Sequence, residues 1–302
     1  MKRTHKVILC LMVMAVLLVF TLIMVAFIAI RFGFLQLDAD DVTQVEKVIE
    51  ETFADVEISN ADRDVRILPS PDGVCRISYY ESESSAAQLK VENDVLRIEV
   101  KDSRTWRDLM KVEDSFDETI TLYLPQKDYG TLRVKGDSGA LTLKQNFCFK
   151  RLEAQIDTGD IESFAQIAEG VEIEGSEGDV HLENVSGKMK IERSTGDIVL
   201  KDCNAAQLAL KSGSGDIKMG SITVTGETKV KTTGGDVYFS CLEAGALEID
   251  VDGGNVEGTV CSGKVFEVKT MTGSVSVPES DASGSVWKIS TTTGNVEIEY
   301  EK

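Results

Sequence analysis

The chain has 302 residues, enough for one large domain or two small ones, and carries 51 acidic against 32 basic side chains for a net charge of −19. A body this acidic is repelled by phosphate backbones, which excludes nucleic-acid binding. With only two histidines, one of them His5, multi-histidine metal sites and most histidine-based catalysis lack their parts.

Residues 1–6 read as a short cytoplasmic tail and residues 7–30, an uncharged run of 24, as a transmembrane anchor. As a helix that run would span ~36 Å, enough to cross a ~30 Å hydrocarbon core with some tilt. A cleaved signal peptide is the competing reading. Its apolar stretch is about 7–15 residues and precedes a small-residue cleavage site, whereas this run ends Ile28-Ala29-Ile30-Arg31. Lys2, Arg3, His5 and Lys6 precede the span, and Asp38, Asp40 and Asp41 follow it. The positive-inside rule therefore places the N-terminus in the cytoplasm and residues 31–302 outside the cell membrane. Cys10, inside the span, reads as an apolar filler.

Residues 31–131 read as a strand-rich cap. Residues 41–51 suggest a short helix; 53–58, 64–68, 74–80, 89–91 and 95–100 alternate as strands. Residues 103–116, with Trp106 and Met110, break the pattern as a loop or short helix before a strand over 119–125.

From residue 132 to 302 a turn motif recurs, as in Thr158-Gly159-Asp160-Ile161 and Thr195-Gly196-Asp197-Ile198. Its glycines are Gly139, Gly159, Gly178, Gly196, Gly215, Gly235, Gly254, Gly273 and Gly294, spaced 20, 19, 18, 19, 20, 19, 19 and 21 residues apart. Two places after each stands an aliphatic residue: Leu141, Ile161, Val180, Ile198, Ile217, Val237, Val256, Val275 and Val296. Apolar residues also recur five places before each glycine and, except for Thr228, seven places before it, as with Leu152 and Ala154 or Leu208 and Leu210. Period-2 stretches flanking a Gly-centred turn are strand–turn–strand chemistry. One such unit cannot bury its own apolar face, but stacked units bury a continuous core. The expected fold is therefore all-β: a β-solenoid, parallel β-helix-like, of about nine coils with a ~19-residue repeat. An all-β sandwich is the competing architecture; leucine-rich and hexapeptide repeats fit poorly, lacking their frames. Glu297, Glu299, Glu301 and Lys302 charge the last strand, expected to be the open edge.

These segments resemble a bacterial extracytoplasmic family, the "putative adhesin" domains of unknown function, which are membrane-anchored β-repeat proteins. The resemblance rests on Asp64-Val65-Arg66-Ile67, Asp94-Val95-Leu96-Arg97-Ile98, Asp102-Ser103-Arg104-Thr105-Trp106 and Ile120-Thr121-Leu122-Tyr123-Leu124-Pro125. Tyr129-Gly130-Thr131-Leu132 and the serial Gly-Asp-Ile/Val turns complete it over residues 45–300. It implies a non-catalytic adhesin or cell-envelope scaffold whose partners are envelope proteins or glycans. An accessory role in envelope-stress signalling is the alternative.

Asp160, Asp179, Asp197, Asp216 and Asp236 hold one position in five consecutive repeats. Stacked coils would align their carboxylates ~4.8 Å apart, a spacing that invites Ca²⁺. The plainer expectation is that each caps its own corner, which the substitutes Ala140, Asn255, Ser274 and Asn295 favour; no cofactor is expected. A carboxylate-based polysaccharide-active enzyme would need long loops to wall a cleft, and the even coil lengths leave little material for one. No catalytic residue is expected. His181 should point outward beside Glu183. Cys203, Cys241 and Cys261 read as small residues in an inward column, although Cys241 and Cys261, in adjacent coils, are placed for a disulfide.

Overall fold

The computed structural model describes residues 43–60, 62–81, 85–102 and 119–301, together with Val19, Thr21 and Met24. The chain divides into two bodies, residues 1–41 with 104–116 and residues 42–103 with 117–302. The expected anchor over 7–30, apart from those three positions, and the interruption over 103–116 lie outside the described residues. Among the described residues no helix is long and apolar enough to cross a membrane.

The second body is all-β. Its N-terminal strands are β1 (Thr43–Val48), β2 (Asp55–Asn60), β3 (Val65–Pro69), β4 (Arg76–Glu81), β5 (Ser85–Glu92), β6 (Val95–Asp102) and β7 (Ile120–Leu124). The repeats begin with β8 (Asp128–Ser138), β9 (Leu141–Leu143), β10 (Cys148–Thr158), β11 (Ile161–Ser163), β12 (Gln166–Glu177), β13 (Val180–Glu183) and β14 (Ser186–Thr195). Three long strands follow, β15 (Ile198–Ser214), β16 (Ile217–Gly234) and β17 (Val237–Gly253). The chain closes with β18 (Val256–Val260), β19 (Lys264–Thr272), β20 (Val275–Ser276), β21 (Ser285–Thr293) and β22 (Val296–Tyr300).

Parallel pairing of each repeat on its neighbour builds the β-solenoid, of about eight regular turns. Ile161 lies beside Leu141 and Val180, Val180 beside Ile198, and Ile198 beside Ile217. All five are fully buried, and each such side chain stabilises the stack by roughly 1.5–3 kcal/mol relative to exposure. Leu132, Leu152, Val171, Met189 and Leu208 form a second inward column in the facing wall. At Gly258 the inward apolar pattern lapses, and a neighbour explains it. Gly258 leaves room for the ring of Phe239, which a Cβ would approach to 2.3 Å.

Chain order and stacking order part company at both ends. One wall runs β5–β6–β2–β8–β10–β12–β14–β15–β16–β17–β21–β19. The other runs β1–β4–β7–β3–β9–β11–β13–β15–β16–β17–β18–β22–β20. The copy around Gly294 therefore does not extend the stack as a ninth successive coil. Its strands slip in beneath those of the copy around Gly273. The acidic last strand is covered on its outer side only at its start, and among the described residues 298–300 pair with β18 alone. β22 lies between β18 and, over Val296 and Glu297, β20. Near the other end β2 and β3 are themselves stacked layers, while β1, β4 and β5 cover the end by antiparallel pairing.

Residues 43–48 are a strand rather than the expected helix. β1 pairs along all of β4, Val45 packs against the core, and Lys47 Nζ donates to Tyr79 Oη at 2.6 Å. Thr43, Val45 and Val48, β-branched residues beside an open strand, favour that pairing over an isolated turn of helix.

Candidate functional site

The recurring carboxylates stack as a ladder. Oδ1 of Asp160 accepts the backbone N–H of Asp179 at 2.8 Å, Asp179 that of Asp197 at 2.8 Å, and Asp197 that of Asp216 at 2.8 Å. Asp216 accepts from Asp236 at 3.0 Å and Asp236 from Asn255 at 2.7 Å. The ladder then follows the swapped stacking order, from Asn255 to Asn295 and from Asn295 to Ser274. Asn retains a side-chain carbonyl oxygen, so the Asp-to-Asn exchanges keep the acceptor on which each corner depends. Burial raises the Asp197 carboxyl, but the Asp216 N–H and the Lys218 ammonium, 3.0 Å from Oδ2, outweigh it and hold the group below its ordinary value.

The glycine of each corner is required by the same stacking. Gly196 sits at φ 122° with its α-carbon against the preceding corner, where a Cβ would lie 2.2 Å from the Gly178 carbonyl oxygen.

Beside the ladder lies the outward face of the second wall. Along it Lys201, Lys218, Tyr238, Ser240, Glu257 and Glu299 line an open groove of about 650 Å³. Tyr238 Oη donates to Asp236 Oδ2 at 2.8 Å, which fixes the ring, and that bond pushes the phenol up to about 12, keeping it neutral. Lys218 is bound by Asp197 and by Asp216 at 3.3 Å, and Lys201 lies 3.6 Å from Glu183. The lysines at this face are thus compensated, whereas Glu257 sits directly beside Glu297 on the neighbouring strand. Further along, His181 does lie beside Glu183, with Nε2 3.4 Å from Oε1, and stands edge-on to the Phe164 ring at 5.4 Å.

Cys203 takes the expected inward place, buried beside Ile222, and its thiol donates to the Lys201 carbonyl. Cys241 and Cys261 do not lie in the inward column. Cys241 occupies the corner held by Asn184, Asp202 and Ser221 in earlier coils, all at positive φ, and forms a disulfide with Cys261. Among the described residues, these two sulfurs and Glu301 are the one group of three ligand-type atoms within 4.8 Å of one another. The sulfurs there are bonded to each other, and the five aspartates make no such group.

One residue the sequence reading passed over is Arg193, 3% exposed, at an inward position. Its guanidinium crosses Gly175 to donate to the carbonyls of Ile156 and Gly159, both at 2.7 Å. Burial lowers its pKa, opposed by Asp160, Asp157 and Asp179. The signal was present as a large cation in an inward column with a glycine one coil before it.

A family model described as Toastrack DUF4097 matches residues 53–299. The chain belongs to this family. Among solved structures, this Toastrack chain is similar to one titled a putative adhesin from Bacteroides fragilis, at 15% identity over 86% of this chain and 97% of that one, TM-score 0.45. Another, also titled a putative adhesin, from Parabacteroides distasonis, shares 15% identity over 86% and 98% of the two chains, TM-score 0.44. A third, titled a putative lipid binding protein from Parabacteroides distasonis, shares 13% identity over 88% and 99%, TM-score 0.36. Comparison with curated proteins finds no match.

Proposed function

We propose that this Toastrack chain is a membrane-anchored, extracytoplasmic and non-catalytic protein that binds cell-envelope glycans or proteins through the outward walls of its solenoid, as an adhesin or scaffold. The apolar run over 7–30 and the basic residues before it support the anchor and its orientation. The Cys241–Cys261 disulfide suits an oxidising compartment outside the cytosol.

The observation that carries the non-catalytic reading is the ladder. Each periodic carboxylate, Asp160 to Asp236, gives Oδ1 to a backbone N–H of the next coil, so the column ties successive turns together along the corner. The walls are open, and their lysines are largely neutralised by neighbouring acids.

The test is a binding screen of the full chain in lipid nanodiscs against cell-wall glycans and envelope proteins, beside an assay of glycan cleavage. Saturable binding without cleavage supports the reading. Turnover of any glycan, or absence of binding to every probe, overturns it. Antibody access to a C-terminal epitope on intact spheroplasts tests the orientation, and an epitope reached only after lysis refutes it.

A further inference from the structure

We infer that the corner formed by Cys241, Cys261 and Glu301 is a zinc site of the reduced protein, where a metal takes over the staple between C-terminal coils once the disulfide is opened. Among the described residues it is the one place where three ligand-type atoms lie within 4.8 Å of one another. Two thiolates with a carboxylate favour Zn²⁺ over Ca²⁺ or Mg²⁺, which prefer oxygen alone. The Cα atoms of the two cysteines are 5.6 Å apart. Zn–S bonds of about 2.3 Å at a tetrahedral angle need sulfurs roughly 3.8 Å apart, which side-chain rotation reaches from that separation. Cys261 and Glu301 are exposed and Cys241 is half-buried, so the metal has a way in and its fourth position falls to water.

The surroundings hold these atoms in place. Thr259 Oγ1 donates to Glu301 Oε2 at 2.6 Å and accepts the Cys241 N–H at 3.1 Å. One hydroxyl thus orients the carboxylate and ties it to the corner that carries the first sulfur, the kind of support that positions metal ligands. The Glu301 N–H donates to the Val260 carbonyl at 3.0 Å, which fixes the third ligand beside Cys261. Cys241 lies in β17, Cys261 directly follows β18, and Glu301 directly follows β22. These strands stack in the order β17–β18–β22, so the metal would join three layers where the disulfide joins two. Cys203 takes no part, since its thiol donates to the Lys201 carbonyl at an inward position. A dithiol reductant gives two electrons and two protons to the disulfide, which becomes two thiols as the reductant becomes a disulfide. Zn²⁺ then displaces both thiol protons to solvent and forms two Zn–thiolate bonds. This goes beyond the binding reading and holds whatever the walls recognise.

The experiment takes the full chain in lipid nanodiscs, reduces it with dithiothreitol, removes the reductant without air, and titrates with Co²⁺ as a spectroscopic probe and with Zn²⁺. The reduced chain should take up one equivalent of Co²⁺ with sulfur-to-cobalt charge-transfer absorption and the d–d bands of a tetrahedral site. Zn²⁺ should bleach both signals, and the oxidised chain should show neither. Cys261→Ser should abolish the charge-transfer band, and Glu301→Gln should weaken Zn²⁺ binding by about tenfold or more. Hydrogen exchange supplies an independent reading. Zn²⁺ should restore protection to β17, β18 and β22 of the reduced chain, and in Glu301→Gln it should restore β17 and β18 but not β22. Absence of the band, its persistence in Cys261→Ser, its appearance only as chains associate, or Zn²⁺ binding indifferent to Glu301→Gln overturns the proposal. Glycan or envelope-protein binding enters none of these readings, so failure of the proposed function and failure of this inference are distinguishable.

Discussion

At the scale of single residues, each corner makes two demands, one on the glycine and one on the acceptor-bearing residue that follows it. Gly196 must adopt φ 122° and let the Gly178 carbonyl approach. Gly196→Ala therefore adds backbone strain of about 1–3 kcal/mol to a clash with rigid backbone, and the midpoint of urea unfolding should fall accordingly. Asp197→Ala orphans the Asp216 N–H and should cost about 1–3 kcal/mol, whereas Asp197→Asn keeps the acceptor and should cost less. The sign of the pH dependence follows from the depressed Asp197 carboxyl. Its contribution is present above the unfolded value near 3.9 and is lost as pH falls through the lower folded value. Melting temperature should thus decline more steeply on acidification below about pH 4 in the native chain than in Asp197→Asn. Parallel profiles would refute the assignment.

At the scale of the coil, the repeat was written plainly in the sequence. Ile161, Val180, Ile198 and Ile217 stack as their spacing of eighteen or nineteen residues requires. Period-2 alternation fixes which side chains face inward, and a constant coil length fixes what lies above what. What it leaves open is any choice between equivalent partners. The repeat makes Val256, Val275 and Val296 interchangeable neighbours, so the exchange of the last two coils had no local signature. The corner cysteines were obscured for a related reason, since one inserted residue moves a side chain from the inner to the outer face. Cys241 sits one place before the buried Leu242. The Asp column was visible, but its partners were not, because a backbone N–H one coil away carries no residue-type signal. With those N–H groups occupying Oδ1 from Asp160 through Asp236, the melting temperature should be the same in excess EDTA and in excess Ca²⁺. A calcium-dependent rise would reinstate the metal column. Arg193 gives the sharper packing test. Arg193→Ala leaves a void and two carbonyls without their donor, and should cost about 2–5 kcal/mol.

At the scale of the whole molecule, a stack of nearest-neighbour interfaces localises the effect of a cross-link. The Cys241–Cys261 disulfide closes a loop of sequence separation 20, for which chain entropy gives about 3 kcal/mol of stabilisation. A globular core would share that loss throughout. In a solenoid it falls on the coils the bond joins and on those held beyond them, here β17–β18 and the inserted β21–β22. Reduction should therefore leave the exchange protection of β10, β12 and β14 unchanged while lowering that of β17, β18, β21 and β22. Urea unfolding should then begin with an early step confined to the C-terminal coils. Cys241→Ser should reproduce the pattern without reductant, because Ser221 already serves the same corner at φ 55° and the backbone accepts it. If reduction lowers protection evenly from β10 to β22, the coils unfold as one unit and the cross-link acts on the whole rod. If neither reduction nor Cys241→Ser shifts any of these strands, the pairing contributes nothing to the C-terminal coils. Protection lost at β21 but retained at β17 would instead trace the effect to the anchoring of Glu301 beside Cys261, through the Thr259 and Val260 hydrogen bonds.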